Sequence, residues 1–283
     1  MPVLGIIGGS GLYDMPGLER VEEVLPETPY GTPGSPIVTG HIGETRLAFL
    51  ARHGRGHVFA PSNVPYRANI AALRSLGVRH VLSISAVGSL QEPLAPRSAV
   101  IPNQIIDRTS SRPRTFFDEG MVAHVGMADP FCSTLAAAVH LHAVASSGDT
   151  VRAGGTYLCI EGPQFSTRAE SHLFRSWGAD IIGMTAMPEA RLAREAGMCY
   201  AMLAMVTDYD VWHETEADVS VEAVQRVLRN NVDVGQSVIR RLANSGIPAC
   251  SAGCRKALQH AIITDERTFS ESARRRLAFL TDA

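Results

Sequence analysis

The run Tyr200-Ala201-Met202-Leu203-Ala204-Met205-Val206 passes without a break into Thr207-Asp208-Tyr209-Asp210. Seven apolar or aromatic residues with no polar interruption cannot be a half-exposed strand, which would alternate. Bounded by polar and turn residues, they read as a strand buried on both faces. The two carboxylates then stand at the mouth of that strand. If the strand continues, Asp208 and Asp210 point to one face, because side chains repeat every second residue.

Five more stretches repeat the pattern of a short apolar run stopping at a small polar cluster. Val3–Ile7 leads into Gly8-Gly9-Ser10-Gly11, and Leu47–Leu50 into Arg52-His53-Gly54-Arg55. Val81–Ile84 leads into Ser85-Ala86-Val87-Gly88-Ser89, Tyr157–Ile160 into Glu161-Gly162-Pro163, and Ile181-Ile182 into Gly183-Met184-Thr185. Helical spacing lies between them. Tyr66–Leu76 ends at Gly77, Pro188–Ala196 opens on a proline suited to a first turn, and Ser220 can cap a helix to about Ser245. Arg274–Leu280 reads as a terminal helix. Strands alternating with helices make an α/β fold. Ligands of such folds collect at strand carboxyl ends, so six polar clusters converging there point to an enzyme.

Composition narrows the class. The chain has 283 residues, of which 45% are hydrophobic and 19% charged, with a formal net charge of -2. That balance favours neither nucleic acid nor an anionic membrane as partner. No apolar run approaches the ~18 residues of a membrane span. Lys256 is the only lysine, so an anion site must use arginine, hydroxyls or backbone N–H groups; arginine's planar fork suits phosphate. Cys132, Cys159, Cys199, Cys250 and Cys254 are odd in number, and no secretory signal precedes them. They read as reduced thiols of a cytoplasmic protein. Cys250 and Cys254 form a C-x3-C pair, for which a zinc site would need two further ligands. The expectation is therefore no metal, with a structural role or an optional disulfide for this pair.

The glycine-rich start fits neither standard nucleotide loop. A dinucleotide fingerprint would need glycine or alanine where Asp14 stands, and a P-loop would need a lysine. A plain tight turn is one reading. The other is a backbone nest for free phosphate, with the Ser10 hydroxyl as an added donor. Arg52 after a buried strand reads as a phosphate ligand with His53 as a further donor, against the alternative of an exposed basic turn. Asp208 and Asp210, partly buried together, should push one acidity constant upward and yield an acid useful near neutral pH.

Together these segments resemble the trimeric branch of the purine nucleoside phosphorylase superfamily, and within it the methylthioadenosine phosphorylases. The motifs are Gly5-Ile6-Ile7-Gly8-Gly9-Ser10-Gly11-Leu12, Ala51-Arg52-His53-Gly54-Arg55, Ile106-Asp107-Arg108-Thr109, Glu161 to Glu170, Met184-Thr185-Ala186-Met187-Pro188-Glu189, and Thr207-Asp208-Tyr209-Asp210. They run from about Val3 to Val238; the tail beyond about Asn244 matches less clearly. The resemblance implies one nucleoside phosphorylase domain over 1–283, with a core of about 3–245, a helical tail of about 246–283 and a mixed central sheet flanked by helices. It implies phosphate held by Ser10, Arg52, His53, Ser85, Ala86 and Thr185. The family often has threonine and cysteine where this chain has Ser85 and Val87. Met184 should lie under the ribose, Phe165 on the base with Ser166 nearby, and Asp208 and Asp210 on the purine edge. Val221 and Val224 should face the methylthio group. His124 should reach across from a neighbouring subunit of a homotrimer or a dimer of trimers.

The implied reaction is phosphate-dependent cleavage of methylthioadenosine, with inorganic phosphate as co-substrate and no cofactor. A carboxylate at position 208 accepts an N–H from a 6-aminopurine, whereas related 6-oxopurine enzymes carry asparagine there. Two alternatives remain open at this point: a 6-oxopurine or methylthioinosine phosphorylase, and a nucleoside-binding protein without catalysis.

Overall fold

The computed structural model describes residues 2–9, 12, 14–147, 150–216 and 218–281, with backbone alone at 221, 223–231 and 281. In chain order the strands and helices are β1 (Val3–Gly8), β2 (Glu19–Val24), β3 (Ile37–Ile42), β4 (Thr45–Ala51), α1 (Tyr66–Ser75), β5 (His80–Ser89), β6 (Ala99–Ile101) and β7 (Gln104–Asp107). There follow α2 (Ser133–Ser147), β8 (Val151–Ala153), β9 (Thr156–Cys159), α3 (Arg168–Ser176), β10 (Ile181–Gly183), α4 (Ala186–Glu195), β11 (Cys199–Asp208), α5 (Val221–Ser245) and α6 (Glu271–Thr281).

All eleven strands belong to one mixed sheet. The apolar run of β11 is buried throughout because helices cover both faces. Tyr200, Met202, Ala204 and Val206 pack with residues of α1, α4 and α6, such as Ile70, Ala190 and Leu277. The alternate residues Cys199, Ala201, Leu203 and Met205 pack with α2 and α5, through Leu135, Val139, Val238 and Leu242. The strand period of two thus divides one apolar run between two cores. β2 is the opposite case: an edge strand exposed along most of its length, with Glu19, Glu22 and Glu23 blunting the free edge.

β5 organises the sheet. Its first half lies between β1 and β11, both parallel to it, through pairs such as Ile7–Ser83 and Met202–Ser83. Its second half keeps β11 on one side, but the other neighbour is now β10, antiparallel, through Ile182–Gly88 and Ile181–Ser89. β1 and β10 therefore approach the same edge of β5 from opposite ends. Between Ser83 and Gly88 neither pairs with it, which leaves a gap of roughly 16 Å at ~3.3 Å per residue. The carboxyl ends of β1, at Gly8, and of β10, at Gly183, both face this gap.

The six strands expected from sequence are present. β5 runs on through Ser85–Ser89, which sequence assigned to the turn beyond it. α4 starts earlier than expected, with a non-helical Met187 inside it. α2 and α3 were not anticipated. α3 carried a readable signal, since Thr167 and Glu170 form a capping box, the S/T-x-x-E pattern of a helix start. The two-core arrangement predicts that Leu203→Ala lowers the denaturation midpoint by the equivalent of about 2–5 kcal/mol. Val21→Ala on exposed β2 should change it by no more than about 0.5 kcal/mol; equal effects would contradict the layering.

Candidate active site

A cavity of about 750 Å³ fills the gap beside β5. Its wall includes Gly8 and Gly9 after β1, Arg52 and His53 after β4, Ser85 to Gly88 of β5, and Gly183 to Thr185 after β10. Asp208 and Asp210 close β11's end, and Phe165 and Ser166 come from the loop before α3. Of the residues expected at the site, Arg52, His53, Ser85, Ala86, Thr185, Phe165, Ser166, Met184, Asp208 and Asp210 all line this one cavity. Ser10 lies outside the described residues, as do the side chains of Val221 and Val224. His124 is exposed and does not line the cavity of its own chain; its N–H donates to Ala261 O at 2.8 Å.

One end of the cavity is cationic. Arg52 is 2% exposed. Its Nη1 donates to Thr185 Oγ1 at 2.7 Å, and its Nη2 to Ser83 Oγ at 2.7 Å and Ile7 O at 3.0 Å. Its Nε lies 3.4 Å from Glu189 Oε1. Glu189 is fixed in turn by Ser83 and Tyr200, whose hydroxyls donate to Oε2 at 2.9 and 2.8 Å. Burial disfavours the Arg52 charge, but the Glu189 carboxylate together with the Tyr200, Tyr66 and Tyr157 hydroxyls outweighs it and holds the guanidinium above its ordinary value. Thr185 Oγ1 is also 3.4 Å from Ser85 Oγ, so two hydroxyls and one guanidinium meet at the place expected for phosphate.

His53 departs from its expected role. Its Nδ1 is 2.8 Å from the Phe59 carbonyl, which can only accept, so the proton sits on Nδ1. Burial, aided by the Arg52 charge, pushes its pKa down to about 4. The ring is thus neutral at pH 7 and offers Nε2 as an acceptor, where sequence reasoning expected a donor. An acceptor matches the O–H of monohydrogen phosphate.

The other end of the cavity is acidic. The β11–β5 register slips between Val206 and Asp208, and Asp210 is left-handed with φ 53°. The two carboxylates therefore converge through a bulge and a turn, whereas sequence reasoning brought them together by strand alternation. Asp210 N–H donates to Asp208 Oδ1 at 2.8 Å, and Thr207 Oγ1 donates to Asp208 Oδ2 at 2.6 Å. Burial, with a smaller contribution from the Asp210 charge and against those two hydrogen bonds, raises Asp208 to about 6. Burial raises Asp210 as well. Asp210 Oδ2 is buried beside the Ser171 and Ser166 hydroxyls, which oppose the rise in its pKa but do not meet it in good hydrogen-bond geometry; a bound donor would complete its hydrogen bonding. Gly88 makes this convergence possible, because a Cβ there would stand 2.9 Å from Asp208 Oδ1.

Two supports escaped the sequence reading. Glu189 is the counter-charge of Arg52; it lay inside a quoted motif but carried no assigned role. Arg112 is buried between the β9 and β10 ends. It donates to Glu161 Oε1 at 2.9 Å and to the carbonyls of Glu161, Met184 and Met187 at 2.6 Å each. It thereby fixes the Met184-Thr185 turn against the Glu161-Gly162-Pro163 loop; no local pattern marks it. Val219, just before α5, and Val232, midway along it, add apolar wall.

The geometry yields a separable prediction. Glu189→Gln keeps acceptor and shape but removes the charge that fixes Arg52. It should weaken inorganic phosphate binding about tenfold, roughly 1.4 kcal/mol, by calorimetry, and leave adenine binding unchanged. Equal loss of both ligands, or of neither, would contradict the assignment of this end to the anion.

Known proteins resemble this chain over most of its length. Residues 3–244 match the family model described as the phosphorylase superfamily. The chain is 49% identical to the S-methyl-5′-thioadenosine phosphorylase of Geobacter sulfurreducens, over 97% of this chain and 96% of that one. It is 51% identical to the same-named protein of Rhodospirillum rubrum, over 93% and 90%. Among solved structures, a methylthioadenosine phosphorylase from an antarctic soil metagenomic library superposes with a TM-score of 0.91 at 50% identity, covering 98% of both chains. A variant of the adenosine/methylthioadenosine phosphorylase of Schistosoma mansoni, solved with adenine, gives 0.81 at 36% identity, covering 87% and 92%. The chain belongs to the phosphorylase superfamily, in the branch of the S-methyl-5′-thioadenosine phosphorylases.

Proposed function

We propose that this chain cleaves S-methyl-5′-thioadenosine with inorganic phosphate, releasing adenine and 5-methylthioribose 1-phosphate. One observation carries the reading: a single cavity joins a buried arginine–hydroxyl cluster to a buried pair of carboxylates of raised pKa. Phosphate would be held by Arg52 with Thr185, Ser85, the Ala86 backbone and Ser10, and would direct its O–H at His53. The stretch of β5 from Ser85 to Gly88 spans roughly 10 Å and leaves the sugar between anion and base, over Met184. Phe165 would cover the purine.

Cleavage of this bond passes through an oxocarbenium-like sugar. Phosphate attacks the anomeric carbon as the purine leaves with the bond's electron pair. Asp208, with a pKa raised to about 6, lies close enough to neutrality to protonate N7 and neutralise the leaving group. Asp210, buried at the same end of the cavity beside the Ser166 and Ser171 hydroxyls, would accept the hydrogen of the 6-amino group. The phosphate dianion stabilises the developing cation, and the protein contributes position and fixed dipoles. This chemistry uses no cofactor beyond phosphate.

A 6-oxopurine would set its carbonyl oxygen against these carboxylates, a mismatch worth roughly 1–3 kcal/mol. A non-catalytic nucleoside binder would have no use for the cluster around Arg52. We further propose a homotrimer, alone or as a dimer of trimers, in which the exposed His124 of one subunit reaches a neighbour's cavity. The reduced thiols suit the cytoplasm, and among the described residues no helix is long and apolar enough to cross a membrane.

The decisive assay is phosphorolysis of methylthioadenosine, methylthioinosine, adenosine and inosine, with and without phosphate. Phosphate-dependent release of adenine from methylthioadenosine should dominate. Asp208→Asn should lower that activity by at least about 100-fold, the scale of general acid catalysis, and shift the ratio towards 6-oxopurines. An unchanged ratio would refute the assignment of the base-reading residues. Because the acid must be protonated, kcat/KM of the unaltered enzyme should fall as pH rises above about 6. That limb should be missing in Asp208→Asn; if it persists there, another group is the acid.

A further inference from the structure

Four of the five cysteines meet far from the cavity. The Sγ atoms of Cys132, Cys199, Cys250 and Cys254 all lie within 4.8 Å of one another, and Cys132 and Cys250 are 4.0 Å apart. A disulfide needs ~2.05 Å, and all five cysteines are free thiols. Four thiolates at ~2.3 Å from a tetrahedral zinc stand about 3.8 Å from each other. We propose that these four cysteines bind one Zn(II) ion as a structural tetrathiolate site. Cys132 and Cys199 are the two ligands that the Cys250/Cys254 pair lacked in sequence.

The ligands are placed from both sides of one junction. Cys132 immediately precedes α2, and its N–H donates to Tyr200 O at 2.8 Å; Cys199 opens β11, and its N–H donates to Arg79 O at 2.8 Å. These two belong to the sheet-and-helix core. Cys250 and Cys254 belong to the tail, beyond the residues 3–244 matched by the family model. Gly253, left-handed at φ 71°, turns the chain just before the short helix that begins at Cys254. Thr134 and Ser251 bind each other at 2.7 Å beside the sulfurs. Three of the four cysteines are buried and Cys250 is half-buried, so solvent is largely shut out, as a closed structural site requires.

The surrounding charge has the sign such a site needs. A zinc tetrathiolate carries a net charge of about -2. Arg79 Nη1 is buried without a hydrogen-bond partner, and the Arg255 charge stands near it. Arg194 acts on Cys254. Among the described residues no carboxylate forms an ion pair with Arg79, Arg194 or Arg255. His80, whose Nε2 is likewise buried without a partner, interacts with Cys132. An anionic metal–thiolate cluster would balance this excess of positive charge and answer the open donors of Arg79 and His80. A tetrahedral sulfur site takes zinc or iron; a buried tie remote from the cavity has no use for electron transfer, which favours zinc.

The test uses the full-length chain, free of any histidine tag and purified without chelator. Elemental analysis should find about one zinc per chain, and fewer than about 0.2 in Cys250→Ser/Cys254→Ser. Should that variant fail to fold, the unaltered chain produced in cobalt medium gives an independent reading: an intense thiolate-to-cobalt charge-transfer band with tetrahedral d–d absorption. Thiol titration in denaturant with chelator should find all five cysteines free. Zinc loss should lower the melting temperature by several degrees and leave KM for methylthioadenosine within about twofold, as expected for a site outside the cavity. A metal-free chain, iron in place of zinc, zinc retained by the double variant, or thiols missing through disulfides would overturn the proposal.

Discussion

The arrangement depends on one break in hydrogen bonding. Two strands approach the same edge of β5 from opposite ends, and between Ser83 and Gly88 neither reaches it. An unpaired edge inside a protein exposes backbone groups that must find other partners. Here Arg52 reaches in towards Ile84 O, at 3.5 Å, and Ser85 Oγ donates to Ala86 O at 3.1 Å. The rest of the edge is left to a ligand. The same break turns the carboxyl ends of β1 and β10 towards each other, so groups from opposite directions face a single cavity.

That geometry explains why one cavity sustains two opposed electrostatic environments. At one end a buried arginine is tolerated because Glu189 neutralises it and hydroxyls occupy its donors. At the other, two carboxylates are buried with no ion pair to a cation among the described residues, and their acidity falls accordingly. The first end is prepared for an anion, the second for a hydrogen-bond donor and an acceptor nitrogen. The proposed nucleoside, laid along β5 with phosphate below the sugar, would meet both. Keeping Asp208 and Asp210 together in a dry site opposes folding, a cost typical of functional sites that the two cores around β11 offset.

Much of this was legible in residue order. A buried strand needs a continuous apolar run, and such runs are local, so the six strands carrying the site could be read directly, with the polar clusters at their ends. What could not be read was non-local. The head-to-head meeting of β1 and β10 depends on which strands pair, and so the continuation of β5 through Ser85–Ser89 was missed. Asp208 and Asp210 were rightly paired, but through strand alternation; a register slip and a left-handed Asp210 do the work instead. The protonation of His53 is set by a carbonyl six residues away, invisible to a motif. Arg112 joins the Glu161 loop to the Met184–Met187 turn, both distant from it in sequence, and Cys132 lies 118 residues from Cys250, so neither looks special where it stands.

The central claim is that one cavity grips a purine edge with Asp208 and Asp210 while Arg52 and Thr185 hold an anion on the far side of the sugar. A crystal structure with adenine and sulfate bound together tests it most directly. The account requires N7 and the 6-amino group within hydrogen-bonding distance of the two carboxylates, and sulfate beside Arg52, Thr185 and Ser85. Adenine bound elsewhere, or sulfate remote from Arg52 with the carboxylates turned to solvent, would contradict it.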